Sequence, residues 1–318
     1  MTIPRVSVCV VTYNHERYIH DCLMTVVAQA HDVPLEILVG DDQSTDRTEE
    51  TIRTLVAQFP DVIRYFRHEN RLGPAGNYQF LIGLARGEYI AHLDGDDYWF
   101  PGKIAKQITL MDNFPEIMAS YTNALCIDDG GAAIGVFNNE QPSEFDIDYL
   151  LRMGNFLNNS SMVYRRSFKA EICGWPPDFL DYRIHLKLAS HGRIGFLNTL
   201  GVAYRVNSST SMVLNHGERV RELYWQAINE ASMGSVKSDC RLSASADFLR
   251  RICFRSMKIR CFDLLKKWWP IISTEHHEHK VILALLVTRS IVITAYRELV
   301  TRIAARLGGT RLRVIYWR

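Results

Sequence analysis

The chain opens on a repeating alternation of apolar runs and polar clusters. Val6-Ser-Val-Cys-Val-Val11 is almost continuously apolar, the pattern of a strand buried on both faces. It ends in Thr12-Tyr-Asn-His-Glu16, after which Tyr18, Ile19, Cys22, Leu23, Val26 and Val27 recur at helical spacing. Glu36-Ile-Leu-Val-Gly40 reads as a second buried strand, ending in Asp41-Asp-Gln-Ser-Thr-Asp46. A helix is expected over Thr48 to Gln58, stopped by Phe59-Pro60. Val62 to Phe66 reads as a third strand, Asn70 to Gly76 as a loop, and Asn77 to Ala85 as a helix. Tyr89 to Leu93 is a fourth strand that runs directly into Asp94, Gly95, Asp96 and Asp97. Aspartates end strands and glycine tolerates unusual backbone angles, so the strand stops there.

Alternating strands and helices over the first hundred residues argue for a mostly parallel sheet wound with right-handed crossovers. Polar clusters close at least three of the strands, so they converge on one edge, where open α/β sheets bind nucleotides. The first strand is followed by no Gly-x-Gly-x-x-Gly, and the chain contains no Gly-x-x-x-x-Gly-Lys-Ser/Thr. Both observations exclude the usual glycine cradles for phosphate. The Asp94/Asp96 pair offers an alternative. Carboxylates this close repel unless a cation or hydrogen-bond donors lie between them, and hard oxygen ligands suit Mg²⁺ or Mn²⁺. The plainer reading of the same residues is a solvated Asp-Gly turn.

Beyond residue 100 the pattern is less regular. Phe114 to Cys126 and Ala133 to Phe137 read as strands around Asp128-Asp-Gly-Gly131, and Asn158 to Ser167 as a further strand. Helices are expected over Glu218 to Met233, over Ala244 to Lys267 ahead of Trp268-Trp-Pro270, and in two stretches near 279–306.

With 318 residues and 47% hydrophobic content, the chain can bury a large core. Its net charge of +2 conceals an asymmetry. Residues 1–249 carry 22 Lys and Arg against 31 Asp and Glu, whereas 250–318 carry 15 against 4. A basic tail on an acidic body points to an anionic surface. Apolar residues interleaved with Arg, Lys and Trp fit a segment lying on an anionic membrane leaflet; the alternative is a helical cap with a solvated basic face. No nucleic-acid partner is expected. The seven cysteines show no Cys-x-x-Cys spacing, which speaks against a disulfide framework or zinc site and for a reducing cytosol. The N-terminus has no signal-peptide shape. No apolar run reaches the ~20 residues that span a bilayer; Val281 to Tyr296 is shorter and broken by Arg289. A cytoplasmic protein, peripheral on the inner membrane face, is the expectation.

Four segments together resemble the family 2 glycosyltransferases of the GT-A fold, which transfer sugars from nucleotide donors. They are Val-Thr-Tyr-Asn (11–14), Val-Gly-Asp-Asp-Gln-Ser-Thr-Asp (39–46), Asn-Arg-Leu-Gly-Pro-Ala-Gly-Asn (70–77) and Glu-Tyr-Ile-Ala-His-Leu-Asp-Gly-Asp-Asp (88–97). They stand in family order and spacing over residues 4 to about 100. The resemblance implies a GT-A domain over 1–215 and a basic helical extension over 216–318.

On that resemblance Thr12, Tyr13, Asn14 and Glu16 line the nucleotide pocket, and Asp41 accepts a hydrogen bond from the base. Asp42 is structural, capping the helix that starts near Asp46. Arg71 and Asn77 approach the base and diphosphate; the alternative for Asn77 is a helix cap. Asp94, Gly95 and Asp96 match the family's Asp-x-Asp, with Asp96 contacting Mn²⁺ or Mg²⁺ directly and Asp94 contacting ribose or metal. Asp181 falls where the family's catalytic base stands; its alternative reading is a first-turn acid favoured by the helix dipole. Two departures stand out: Leu180 replaces the usual Glu, and Asn207 replaces a common His. His92 and His185 read as structural, and His276-His-Glu-His279 as a solvated loop.

The activity implied is inverting, metal-dependent transfer of a single sugar from a nucleoside diphosphate donor. The acceptor is a hydroxyl of a glycan or lipid-linked molecule in cell-surface polysaccharide synthesis. No Gln-x-x-Arg-Trp follows Asp181, which favours single addition over polymerisation. The rivals are a sugar nucleotidyltransferase, which would need a basic glycine-rich loop after the first strand, and a non-catalytic scaffold acting through the basic tail.

Overall fold

A computed structural model describes residues 3–206, 217–233, 236–306 and 313–316. Strands β1 (Val6–Thr12), β2 (Leu35–Asp41), β3 (Ile63–Arg67) and β4 (Tyr89–Asp94) pair in parallel in the order β3-β2-β1-β4. Every residue of β1 and β2 is buried, which is why both read as unbroken apolar runs. Thr12 pairs with Asp41 and Val11 with Asp94, so the three polar strand ends finish at one level. Helices α1 (Ile19–Val27), α2 (Thr48–Gln58) and α3 (Gly73–Leu84) make the crossovers.

Two local expectations are corrected here. Helix α3 begins at Gly73 rather than Asn77, because the Asp42 carboxylate accepts from the N–H groups of Leu72 (2.6 Å) and Gly73 (3.1 Å). Asp42 therefore caps α3, not the helix near Asp46. That second cap is Asp46 itself, which accepts from Thr48 N at 3.0 Å.

The chain continues through β5 (Tyr98–Trp99), α4 (Lys103–Asn113), β6 (Ile117–Ile127), β7 (Ala133–Asn138), β8 (Glu144–Phe145) and α5 (Ile147–Met153). Then follow β9 (Val163–Arg165), α6 (Lys169–Cys173), α7 (Asp181–Ala189) and β10 (Arg193–Arg205). Strand β9 lies antiparallel between β4 and β6, and β10 runs parallel to β6, extending the sheet to 11 strands with β11 (Val314–Tyr316) at one edge.

Helices α8 (Gly217–Ser232), α9 (Ser238–Ile259), α10 (Asp263–Glu275) and α11 (Lys280–Arg306) form the C-terminal part. The single helix expected over 244–267 is two, broken where Arg260 adopts a left-handed conformation (φ 54°). Pro270 lies inside α10 rather than after it. Trp225, Phe248, Ile252 and Trp268 share one hydrophobic core with Tyr182 and Leu188, so the extension packs on the sheet domain. His276 is buried against Ser245 (2.8 Å), not solvated.

The stretch near 279–306 is one helix, continuous through Arg289 and about 40 Å long at 1.5 Å per residue. The span His277–Arg297, which takes in the turn before the helix and its first part, has mean hydropathy 1.4, is long and apolar enough to cross a membrane by length and composition, and is only 11% buried. This overturns the expectation that no segment reaches spanning length. The helix continues through the charge that interrupted the apolar run. Asn207, the rest of 207–216 with the 215/216 boundary, and most of the final basic segment lie outside the described residues.

Candidate active site

The loops after β1 and β2 are tied to each other. Asn14, held at φ 55°, accepts from Thr45 N (2.8 Å) through Oδ1, while its own N–H donates to Ser44 Oγ (2.9 Å). Glu16 Oε2 accepts from Arg47 N at 2.9 Å. Asn14 and Glu16 thus join the two loops at the strand ends. Asp41 is fully buried, accepting from Ser44 N and from Tyr65 Oη, each at 2.8 Å. The Arg71 guanidinium lies 3.7 Å from the centroid of the Tyr13 ring and 3.6 Å from Asp42, so these loops present a stacked cation–aromatic pair.

Asn77 departs from the expectation. It is buried inside α3, its Nδ2 donating to Gly40 O (2.7 Å) and its Oδ1 lying 2.9 Å from His68 Nε2. Its amide is engaged at both ends, and it clamps α3 to β2 rather than facing a base or diphosphate. It is not the helix cap either.

At the end of β4, Asp94 and Asp97 share Ser160 and otherwise take different partners. Asp94 Oδ1 lies 3.0 Å from His92 Nε2. Burial pushes the Asp94 carboxyl up, but His92, His15 and Ser160 outweigh it and hold its pKa below the usual value. Asp97 accepts from Ser160 Oγ (2.6 Å) and from Arg205 N (2.8 Å). Burial, then the charges of Asp96 and Asp94, push Asp97 well above the carboxylate range. Gly95 touches the first strand: a Cβ there would lie 2.8 Å from both Thr12 Oγ1 and His15 Nδ1, so only glycine fits. Arg205, from β10, donates to Asp96 O (3.1 Å) and Asp128 O (2.6 Å) and covers the Tyr18 ring at 4.0 Å.

Among the described residues no three His, Cys, Asp or Glu side chains are arranged to hold a metal by themselves. The donor set fits a hard divalent cation only as a carboxylate pair completed by oxygens from a bound diphosphate and water.

Asp181 opens α7 and is half-buried. Both of its hydrogen bonds fall on Oδ1, from Tyr182 N (2.7 Å) and Asn155 Nδ2 (3.3 Å), and no described group bonds Oδ2. Burial pushes its pKa up to about 6, Asp94 adding to the effect while Tyr182 N–H and Asn155 oppose it. The fold therefore brings Asp181 within electrostatic reach of Asp94.

Four residues close to these groups were given no part in the site from the sequence: His92, which read as structural, and Asn155, Ser160 and Arg205. Only His92 left a signal. It stands two residues before Asp94, so strand alternation places both on one face. Asn155, Ser160 and Arg205 meet the site through long-range contacts that no local pattern announces.

The doubly wound sheet carries carboxylates along its strand-end edge, the place where open α/β sheets bind their ligands. The chain belongs to glycosyl transferase family 2, whose model matches residues 7–169, just over half of it. It is 31% identical over 201 residues to an uncharacterized protein of Mycobacterium tuberculosis, covering 63% of this chain and 58% of that relative. It thus spans little more than half the length of that protein. It is 28% identical over 218 residues to the Escherichia coli UDP-Glc:alpha-D-GlcNAc-diphosphoundecaprenol beta-1,3-glucosyltransferase WfaP, covering 68% of this chain and 83% of WfaP. Among solved structures, S. aureus TarS in complex with UDP-GlcNAc superposes with a TM-score of 0.61 at 20% identity, over 78% of this chain and 72% of that one. Mannosyltransferase PcManGT from Pyrobaculum calidifontis, in complex with GDP-Man and Mn²⁺, gives 0.56 at 17% identity, over 92% and 87%. At these identities the structural likeness is one of fold. The fold is GT-A.

Proposed function

We propose that the protein transfers a single sugar, with inversion, from a nucleoside diphosphate sugar to a hydroxyl of a lipid-linked or glycan acceptor in cell-surface polysaccharide synthesis. The observation that carries this reading is Asp181: one oxygen is pinned by two donors, the other carries no bond from the described residues, and Asp94 at the nucleotide edge is close enough to raise its pKa. In this reading Asp181 Oδ2 accepts the proton of the acceptor hydroxyl as that oxygen attacks the anomeric carbon. The new carbon–oxygen bond forms as the bond to the diphosphate breaks, and its electron pair leaves with the diphosphate. Tyr13 and Arg71 border the base, with Thr12 and Asp41 deeper in the same cleft. Asp96 and Asp94 would hold Mg²⁺ or Mn²⁺, which when bound neutralises the departing diphosphate. WfaP's lipid-diphosphate acceptor and the Mn²⁺ of PcManGT support these assignments by likeness.

The lipid-linked acceptor also fits the C-terminal part. Helix α11 leaves Val281, Leu285, Val292 and Tyr296 exposed on a segment where Lys and Arg outnumber Asp and Glu, the composition of a helix that docks on an anionic leaflet. We place the enzyme at the cytoplasmic membrane face on that basis.

The test is transfer from radiolabelled UDP-, GDP- and TDP-sugars into bacterial lipid extract. Label should move into the lipid fraction from one donor with wild-type protein and not with Asp181→Asn. Label that stays on every nucleotide, or equal transfer by the variant, overturns the reading.

A further inference from the structure

Asn155 uses each of its polar atoms. Its N–H donates to Tyr224 Oη (3.0 Å), and its carbonyl accepts from Arg251 Nη2 (3.3 Å). Its Oδ1 lies 3.3 Å from His185 Nδ1, and its Nδ2 donates to Asp181 Oδ1 at 3.3 Å. The orientation of this amide follows from its partners. A carboxylate only accepts, so Nδ2 must face Asp181, which leaves Oδ1 for His185 and requires the proton on Nδ1 of that ring. His185 is fully buried, and burial drives its pKa down to about 3, so the ring stays neutral and keeps this role across the working pH range.

The backbone partners of Asn155 belong to the helical extension. Tyr224 stands on α8 and Arg251 on α9. Arg251 is itself anchored by Asp247 (2.9 Å). Gly154, with φ 71°, lies so close to Asp247 that a Cβ would collide with its carboxylate. The extension therefore packs directly on the turn that carries Asn155.

We propose that Asn155 is the positioning residue for the base Asp181, and that the helical extension, through Tyr224 and Arg251, holds Asn155 in place. The proposal rests on Asp181 being the base. It explains how the chain manages with Leu180 in place of an acid: the orienting group comes from a distant loop instead of the neighbouring residue. It also makes α8 and α9 part of the active site rather than only a support for α11.

The charges that bear on Asp181 are Asp94 and His92 from β4. Arg183 on its own helix pairs with Glu230 of α8 at 2.7 Å. On α5, Arg152 and Asp148 pair with Asp239 and Lys237. Losing the Asn155 amide therefore acts on Asp181 through one missing donor to its charged form.

The experiment is a ¹³C-carboxyl NMR titration of Asp181, its signal assigned by its loss in Asp181→Asn, combined with transfer kinetics against pH. Asn155→Ala removes only the side chain and leaves both backbone contacts. Its Asp181 should titrate at higher pH than wild type, the acid limb of kcat/KM should move with it, and kcat should fall about tenfold or more with donor KM within about twofold. Asn155→Ser, smaller in perturbation, should shift in the same direction if Asn155→Ala fails to fold. Arg251→Met should raise the Asp181 midpoint by less; no change there overturns the role of the extension. An unchanged Asp181 midpoint and acid limb in the Asn155 variants overturn the proposal. Full activity of Asp181→Asn with a shifted Asp181 titration in Asn155→Ala would instead remove the base and leave the positioning contact standing.

Discussion

The backbone N–H of Arg205 donates to Asp97 Oδ1 at 2.8 Å, and the Arg205 guanidinium reaches the carbonyl of the residue before it, Asp96, at 3.1 Å. The last residue of β10 thus closes the carboxylate turn at the end of β4, more than a hundred positions earlier in the chain. Ser160 completes the brace, its hydroxyl donating to Asp97 at 2.6 Å and lying 3.3 Å from Asp94.

Replacing Arg205 by Ala keeps the backbone donor to Asp97 but takes the guanidinium away from the Asp96 carbonyl and leaves the Asp128 carbonyl with Gly131 N–H alone. Stability should fall by about 1–3 kcal/mol, the cost of a buried acceptor left without its donor, as read from urea unfolding. Nucleoside diphosphate affinity should fall with it, because the turn loses its brace. Unchanged stability would mean that solvent replaces the guanidinium.

Gly95→Ala tests the contact between the turn and the first strand. The added methyl meets Thr12 Oγ1 and His15 Nδ1 at 2.8 Å, so the turn must shift away from the end of β1. Donor affinity should drop at least about tenfold, since displaced carboxylates lose aligned contacts, with a circular dichroism spectrum like that of wild type. Wild-type affinity would show that the turn carries no ligand.

The transfer rate should depend on pH through Asp181. Its folded pKa is raised to about 6, and only the ionised form accepts a proton. kcat/KM should therefore fall about tenfold per pH unit below that value and level off above it. In Asp181→Asn the acid limb should disappear and kcat should drop about 10²–10⁴-fold. A retained acid limb in the variant would assign it to another group.

Asp42 and Asp41 separate a cap from a cleft residue. Asp42→Ala removes acceptors for the first N–H groups of α3 and should cost about 1 kcal/mol in unfolding measurements. Asp41→Asn keeps the volume and should weaken nucleotide binding more than it weakens the fold. Equal effects on both properties in the two variants would erase the distinction.

The strands were legible because β1, β2 and most of β4 are buried on both faces, which forces unbroken apolar runs, and because clustered aspartates cannot continue a strand. Asp94 and Asp96 were singled out for that reason, and Asp181 by family resemblance. The roles of Asp42 and Asn77 were misjudged because each bonds an element distant in sequence: Asp42 caps a helix thirty residues on, and Asn77 reaches β2. Asn155 was invisible, since it makes four contacts to three elements distant in sequence. Arg289 misled about α11, because one charge interrupts an apolar run without ending a helix.

The most direct test of the account is thermal stabilisation by UDP, GDP, CDP and TDP, each with and without Mn²⁺. A ligand that binds only the folded state must raise Tm. The account predicts a shift with one diphosphate, larger with Mn²⁺, lost in Asp96→Ala and kept in Asp181→Asn. No shift with any diphosphate, or an equal shift in Asp96→Ala, would contradict a nucleotide site at the ends of β1, β2 and β4.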